Sequence, residues 1–365
     1  MDRIRTFNPL ASVATAVTTV VVVAAAIFFI SRLIVEPLIL LSVVAKALGL
    51  GATYALIALG FVLVFKATQV VNFAQGAMAM VGALFLSFLA VDENIPFTTV
   101  KNPLIGLGPH WFGWSLSFLV TLLFAAVMGL VLERLVIRPM VGKPLFSVAV
   151  ITLGLETILR TFATDSVQIK LRSLGLPWGT TGFTVGGDTN PDGITTGGAF
   201  IAWSYVFAVS LAAVAFVAVF FFYRSRLGVA MRAVAGDQEA AMAQGINVGR
   251  VFAIAWAAGA VLATLGGILA TQPPVAQTGA AAVETQLIAF RALPAVILGG
   301  LDSVSGALVG GAIIGLAEIT AGQYLSGYTS QLGPGYPLVV PYLVMVVGLL
   351  VKPYGVFGTP EIRRV

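Results

Sequence analysis

Cysteine is absent from the 365-residue chain, and histidine occurs once, at His110. The first absence excludes disulfides and thiolate metal sites. The second excludes a histidine-based zinc or iron centre. Charge is scarce as well: Asp, Glu, Lys and Arg make up 10% of the residues, against about 25% in a soluble domain. Signatures of catalysis are missing too. No lysine is followed by Ser or Thr, so there is no GxxxxGK[ST] phosphate loop. There is no HExxH, and the single histidine has no nucleophile in plausible reach. The basic residues are scattered over short loops and form no nucleic-acid-binding surface. No cofactor is implied, and the chain reads as something other than an enzyme.

What is abundant is apolar sequence. Hydrophobic residues make up 59% of the chain, and its mean hydropathy is +1.01. Too little polar surface remains to cover a water-soluble globule, so membrane lipid is the main solvent. The length accommodates roughly eight to ten spans of about 20 residues. Apolar runs place ten, at 11–30, 44–65, 70–90, 115–133, 145–163, 200–223, 251–271, 285–300, 306–321 and 337–351. Arg3 and Arg5 precede the first run, Val13 to Ile30, which reads as a retained span and not a cleaved signal peptide. In the second, Lys46 with Gly49 and Gly51 suggests an interfacial or bent start.

Ten spans put both termini on one side, and the positive-inside rule chooses it. With both termini cytoplasmic, the inner segments hold Arg3, Arg5, Lys66, Arg134, Arg138, Lys143, Arg224, Arg226, Arg232, Arg250, Lys352, Arg363 and Arg364. The outer loops hold Arg32, Lys101, Lys170 and Arg172, a balance of thirteen to four. Trp111 and Trp114 before the fourth span, and Trp203 and Tyr205 at the opening of the sixth, suit the headgroup level. The expected fold is therefore all-α: a polytopic transmembrane helix bundle of about ten spans (eight to ten) in one membrane domain, 1–365. Its outer loop at 165–199 is turn chemistry from Gly179 to Gly198.

The cytoplasmic loop 224–250 carries the clearest local signal. Asp237 is a good helix N-cap, and Glu239 places an acid in the first turn. Ala240 and Ala241 begin a run of strong helix formers, and Gly245 is a natural stop. The helix so defined, about two turns long, is unstable alone. It either packs on its own spans or docks a partner in a groove.

Glu239-Ala240-Ala241 through Gly245 resembles the first half of the EAA-xxx-G signature of ABC-importer permeases; the second half, Ile-x-Leu-Pro, is absent. Tyr54 to Gly60 and Val71-Asn72-Phe73-Ala74-Gln75-Gly76 resemble the branched-chain amino acid permease family of LivH type, which usually has His at the place of Gln75 and an acid at that of Ala77. Glu133-Arg134 with Arg138-Pro139, Thr152-Leu-Gly154, Arg226-Leu-Gly228 through Arg232-Ala233, Leu298 to Leu301 and Lys352 to Gly358 follow in family order. The resemblance implies one permease subunit of an importer in the cell inner (plasma) membrane. It implies a second permease of LivM type, cytoplasmic ABC ATPase subunits that hydrolyse ATP, and an extracytoplasmic solute-binding protein. It assigns coupling to the ATPases to Arg232, Asp237, Glu239, Ala240, Ala241 and Gly245. The solute is a branched-chain amino acid, or urea, an amide or another small polar molecule.

Polar groups at membrane depth are costly and need partners. Glu156 and Arg160, four apart, share one helix face in the favourable acid-first order. They line a polar path or neutralise each other. Arg291, ahead of Pro294, meets the solute carboxylate or clamps Glu318 of the next span. Asn72 and Gln75 act as interhelical glue or as a gate. Thr152 completes the solute-pathway candidates. The rival expectation is an ion- or proton-coupled secondary transporter working without an ATPase, with Glu156, Glu318, Arg160 and Arg291 as its relay.

Overall fold

A computed structural model of the protein describes residues 9–92, 94, 100–167, 172–189, 195–275 and 282–359. Both chain ends lie outside them, as do Arg3, Arg5, Lys170, Arg363 and Arg364 of the charge balance. The described helices are α1 (Pro9–Val35), α2 (Pro37–Thr68), α3 (Gln75–Val91), α4 (His110–Leu132), α5 (Leu145–Val167), α6 (Trp203–Arg224), α7 (Arg226–Gly236), α8 (Gln238–Ala243), α9 (Val248–Ala270), α10 (Ala282–Gly299), α11 (Val304–Tyr324), α12 (Thr329–Leu332) and α13 (Tyr336–Val351). The protein is a multi-pass all-α membrane bundle.

Each of the ten expected spans falls on a helix, but the count of ten is not upheld. Among the described residues six helices are long and apolar enough to cross a membrane, or seven if the pair Ser326–Leu332 and Tyr336–Val351, bent by 87°, is one span. One of the helices that fall short is α3, and there the cause is local. Residues 70–74, expected to be helical, are not. Gln69 takes a left-handed conformation (φ 56°) and returns its N–H to Phe65 O at 2.7 Å, closing α2. The Asn72 side chain then accepts the Ala74 N–H at 3.1 Å, a local turn that competes with helix. A helix of 17 residues remains, about 25 Å at 1.5 Å per residue and short of the roughly 30 Å hydrocarbon core.

α2 is the hub. It is apolar on all sides, as befits a helix surrounded by others, and Leu50 to Val64 are buried throughout. It packs on α11, α9, α6 and α10. One helix runs without interruption for 32 residues, through Lys46, Gly49 and Gly51 where the sequence suggests an interfacial or bent start. Those glycines admit neighbours. A Cβ on Gly51 would stand 2.9 Å from Gly311 O, and one on Gly49 would stand 3.1 Å from the Tyr205 ring. In a membrane, helices associate through such close van der Waals contact and not through a hydrophobic drive between apolar faces.

Side-chain ties gather two ends of the bundle. At one end, Lys66 of α2 lies 4.8 Å over the Tyr223 ring of α6, and Arg232 of α7 donates to Tyr223 O at 2.8 Å. At the other, Arg172 pairs with Asp92 at 2.5 Å just past α3. Trp114, in the first turns of α4, is buried, and its indole N–H donates to Leu174 O at 2.9 Å. The described part of the loop 165–199 also holds more than turns. Gly182–Val185 (β1) pairs antiparallel with Ala199–Ala202 (β4), and Asp188–Thr189 (β2) with Thr195–Thr196 (β3). Thr and Val suit such a ribbon, and it delivers the chain straight into α6.

Candidate functional site

Two regions bring together the residues singled out by sequence. The first is a buried polar chain where α3 begins. Asn72 Nδ2 donates to Gln75 Oε1 at 3.1 Å, and Gln75 Nε2 donates to Gly259 O of α9 at 3.2 Å. Thr152 of α5 accepts the Phe73 N–H at 3.2 Å and donates to Ala149 O at 2.7 Å. All three side chains are buried. Within the break at 70–74, the Phe73 N–H is thus held by α5 and the Ala74 N–H by Asn72.

One turn along α5, Glu156 Oε1 accepts from Arg160 Nε at 3.2 Å, as the four-residue spacing predicts, and also from the Gln286 side chain of α10. Gln286 Oε1 is buried with no partner among the described residues. Further along α10, Arg291 Nη2 meets Glu318 Oε1 at 2.5 Å, while Tyr54 of α2 donates to Glu318 Oε2 at 2.6 Å. Arg291 is thus engaged by Glu318, with its Nε buried and unpartnered. Arg291 and the Glu156 group occupy different contacts of α10 and do not form one cluster. Among the described residues no group of three or more metal-binding side chains occurs.

The second region is the loop 224–250. The Asp237 side chain accepts the Ala240 N–H at 3.0 Å and caps α8. At the far end Ile246 N–H bonds to Ala241 O at 3.0 Å and Gly245 N–H to Met242 O at 2.9 Å, a Schellman closure. Gly245 has φ +79°, a conformation that glycine adopts without cost. Ala241 turns inward, whereas Glu239, Ala240 and Met242 are exposed. Beside α8 lies an open groove of about 500 Å³, lined by Arg138, Val141, Met242 and residues 245–249.

Sequence reasoning missed α7, which precedes α8. Its signal was Ser225, whose hydroxyl accepts the Gly228 N–H at 3.4 Å as N-cap. Arg232 belongs to α7, where it ties the loop to the end of α6 and does not line the groove. Arg138, which the sequence offers as one of the inner-side cations and as part of the family resemblance, forms a wall of the groove.

The family model described as branched-chain amino acid transport system / permease component matches residues 43–349. The chain belongs to that family. The high-affinity branched-chain amino acid transport system permease protein LivH of Salmonella typhimurium is 30% identical over 321 residues, 87% of this chain and 94% of the relative. LivH of Escherichia coli K12 matches to the same extent. BraD of Pseudomonas aeruginosa, a permease protein of the same kind of system, is 28% identical over 330 residues, 89% of this chain and 98% of its own. The relatives are transport permeases and not enzymes.

Proposed function

We propose that this chain is a membrane-spanning permease subunit of an ATP-binding-cassette importer. It moves a branched-chain amino acid, or a related small polar solute, inward by alternating access. The observation that carries the reading is the α8 helix: capped by Asp237, closed at Gly245, and set beside an open groove with its small, apolar face exposed. A partner surface fits there, and family membership supports an ATPase as that partner. Asp237, Ala241 and Gly245 give α8 its shape, Glu239 and Ala240 offer its contact face, and Arg232 anchors α7 to α6.

In this reading the α7–α8 side and both termini are cytoplasmic, as the thirteen-to-four charge balance supports. The membrane is the cell inner (plasma) membrane. A second permease of LivM type completes the pathway, and an extracytoplasmic solute-binding protein delivers solute to the opposite side. ATPase closure displaces α8, and the spans exchange outward- and inward-open states. Asn72, Gln75 and Thr152 hold the break between α2 and α3, where irregular backbone meets α5 and α9. Glu156 is the pathway's carboxylate, fit to meet a solute ammonium, and Arg291 secures α10 against α11 elsewhere on the same helix.

The test is reconstitution of the chain with its ATPases and second permease in proteoliposomes. Expected is uptake of labelled leucine, or of urea or an amide in a parallel panel, that requires both ATP and the binding protein. Replacing Glu239 or Gly245 abolishes solute-stimulated hydrolysis while membrane insertion persists. Uptake by the chain alone under a proton gradient, without nucleotide, would establish the secondary-transporter reading instead.

A further inference from the structure

The end of α4 is not α-helical. Residues Glu133–Ile137 form a π-helix and Arg138–Met140 a 3₁₀ turn. On an α-helix, residues five apart point about 140° away from each other. The π-turn removes that divergence and brings Glu133 and Arg138 together. Arg138 Nε lies 3.2 Å from Glu133 Oε1 and its Nη2 lies 3.3 Å from Oε2, a two-pronged pair. The same Nη2 donates to Gly249 O at 3.3 Å. Gly249 is the second residue of α9, and a Cβ there would stand 3.3 Å from the guanidinium carbon.

The pair is asymmetric. The Glu133 side chain is 1% exposed and that of Arg138 is 41% exposed, in the wall of the groove opposite Met242 and Gly245. Here the carboxylate is fixed in the bundle and the cation faces whatever enters the groove. From Gly249, α9 runs between α2, α3 and α4 to Gly259, whose carbonyl receives Gln75. One rigid helix thus joins the groove wall to the buried Gln75–Asn72 chain.

We propose that Glu133 and Arg138 are a positioning pair that transmits movement of a partner docked in the groove to α9, and through Gly259 to the Gln75–Asn72–Thr152 chain. This inference rests on the reading of the groove as the ATPase-docking face. When the partner shifts against α8, Arg138 is pressed or released. Its three hydrogen bonds move the π-turn of α4 and the first turn of α9 as one body. Coupling of this kind is a free-energy linkage between groove and solute site.

The experiment uses the full importer in proteoliposomes and measures, in the same vesicles, solute imported per ATP hydrolysed. For E133Q the expected result is sustained hydrolysis with a ratio lower by about ten-fold. E133D, which keeps the charge but shortens the reach, restores part of the ratio. R138K keeps Glu133 neutralised and so protects folding, but it loses the two-pronged geometry; its ratio falls by about three-fold. Should E133Q fail to insert, E133D and R138K carry the test. A merely structural role would lower both rates with the amount of assembled complex and leave the ratio unchanged in all variants, which would overturn the inference alone. Absence of ATP-dependent uptake by the wild-type complex would overturn the proposed function and this inference with it.

Discussion

Arg291 of α10 and Glu318 of α11 meet at 2.5 Å, and the second carboxylate oxygen takes the Tyr54 hydroxyl of α2 at 2.6 Å. One carboxylate therefore holds three helices together. Removing a single partner leaves an uncompensated charge. We expect E318A to destabilise the protein by about 3 kcal/mol or more, whereas replacing both ions by methionine recovers most of that loss. Thermal unfolding of the purified chain in one detergent checks this. Equal loss in the single and double variants would show that the ion pair itself stabilises the fold and that an unpaired Arg291 adds no further cost.

The α2–α11 contact makes a second expectation. A Cβ on Gly311 would lie 2.6 Å from Gly51 O and 2.9 Å from Ala55 Cβ. With no side chain to rotate away, backbone has to move. G311A should cost about 1–3 kcal/mol through overpacking. Gly154 of α5 has open space at its Cβ position, so G154A should leave the melting temperature of the isolated chain unchanged or slightly raised, since Ala favours helix. Melting curves of the two variants side by side decide it.

Much of this architecture was legible in the sequence, and the failures share a physical cause. Apolar runs located every major helix because lipid demands them. Glu156–Arg160 was readable from a spacing of four, and Arg291–Glu318 from the cost of leaving either charge alone in the bilayer. The break at 70–74 was not readable, because Val70, Val71, Phe73 and Ala74 are as apolar as any span and hydropathy does not report backbone conformation. The signal lay in Asn72, whose side chain caps the turn. Glu133 and Arg138 were invisible as a pair because five residues is the wrong spacing for an α-helix, and only the π-turn reunites them.

A third expectation concerns the loop. Asp237 caps a helix of only six residues, and such a helix depends heavily on its ends. Loss of the cap costs about 1 kcal/mol. In D237A the amide of Ala240 should therefore exchange hydrogen with water about five-fold faster at that cost, while exchange in α9 stays as it was. D237N retains an acceptor and should exchange like the wild type. Hydrogen-exchange mass spectrometry over 237–246 reads both. Unchanged exchange in D237A would mean that packing on α7 and α9, and not the cap, holds α8.

Gln75 offers the sharpest test of the buried polar chain, because its neighbourhood is built around its amide. Gly60 of α2 faces it: a Cβ there would overlap Gln75 Nε2 and stand 3.2 Å from Gly259 O. G60A alone should therefore displace the amide, break its bond to Gly259 and leave Asn72 without its acceptor. Q75A alone leaves the Asn72 amide without its acceptor and removes the second hydrogen bond to the Gly259 carbonyl, a cost of about 1–3 kcal/mol. In the double variant the new methyl occupies space that the amide has vacated, so the two costs should fall short of their sum by about 1 kcal/mol or more. A complete cycle of unfolding measurements on the four proteins yields that coupling. Strict additivity would mean that Gly60 is small for the sake of the α9 backbone alone, and that the Gln75 amide contributes nothing to the joint between α2, α3 and α9.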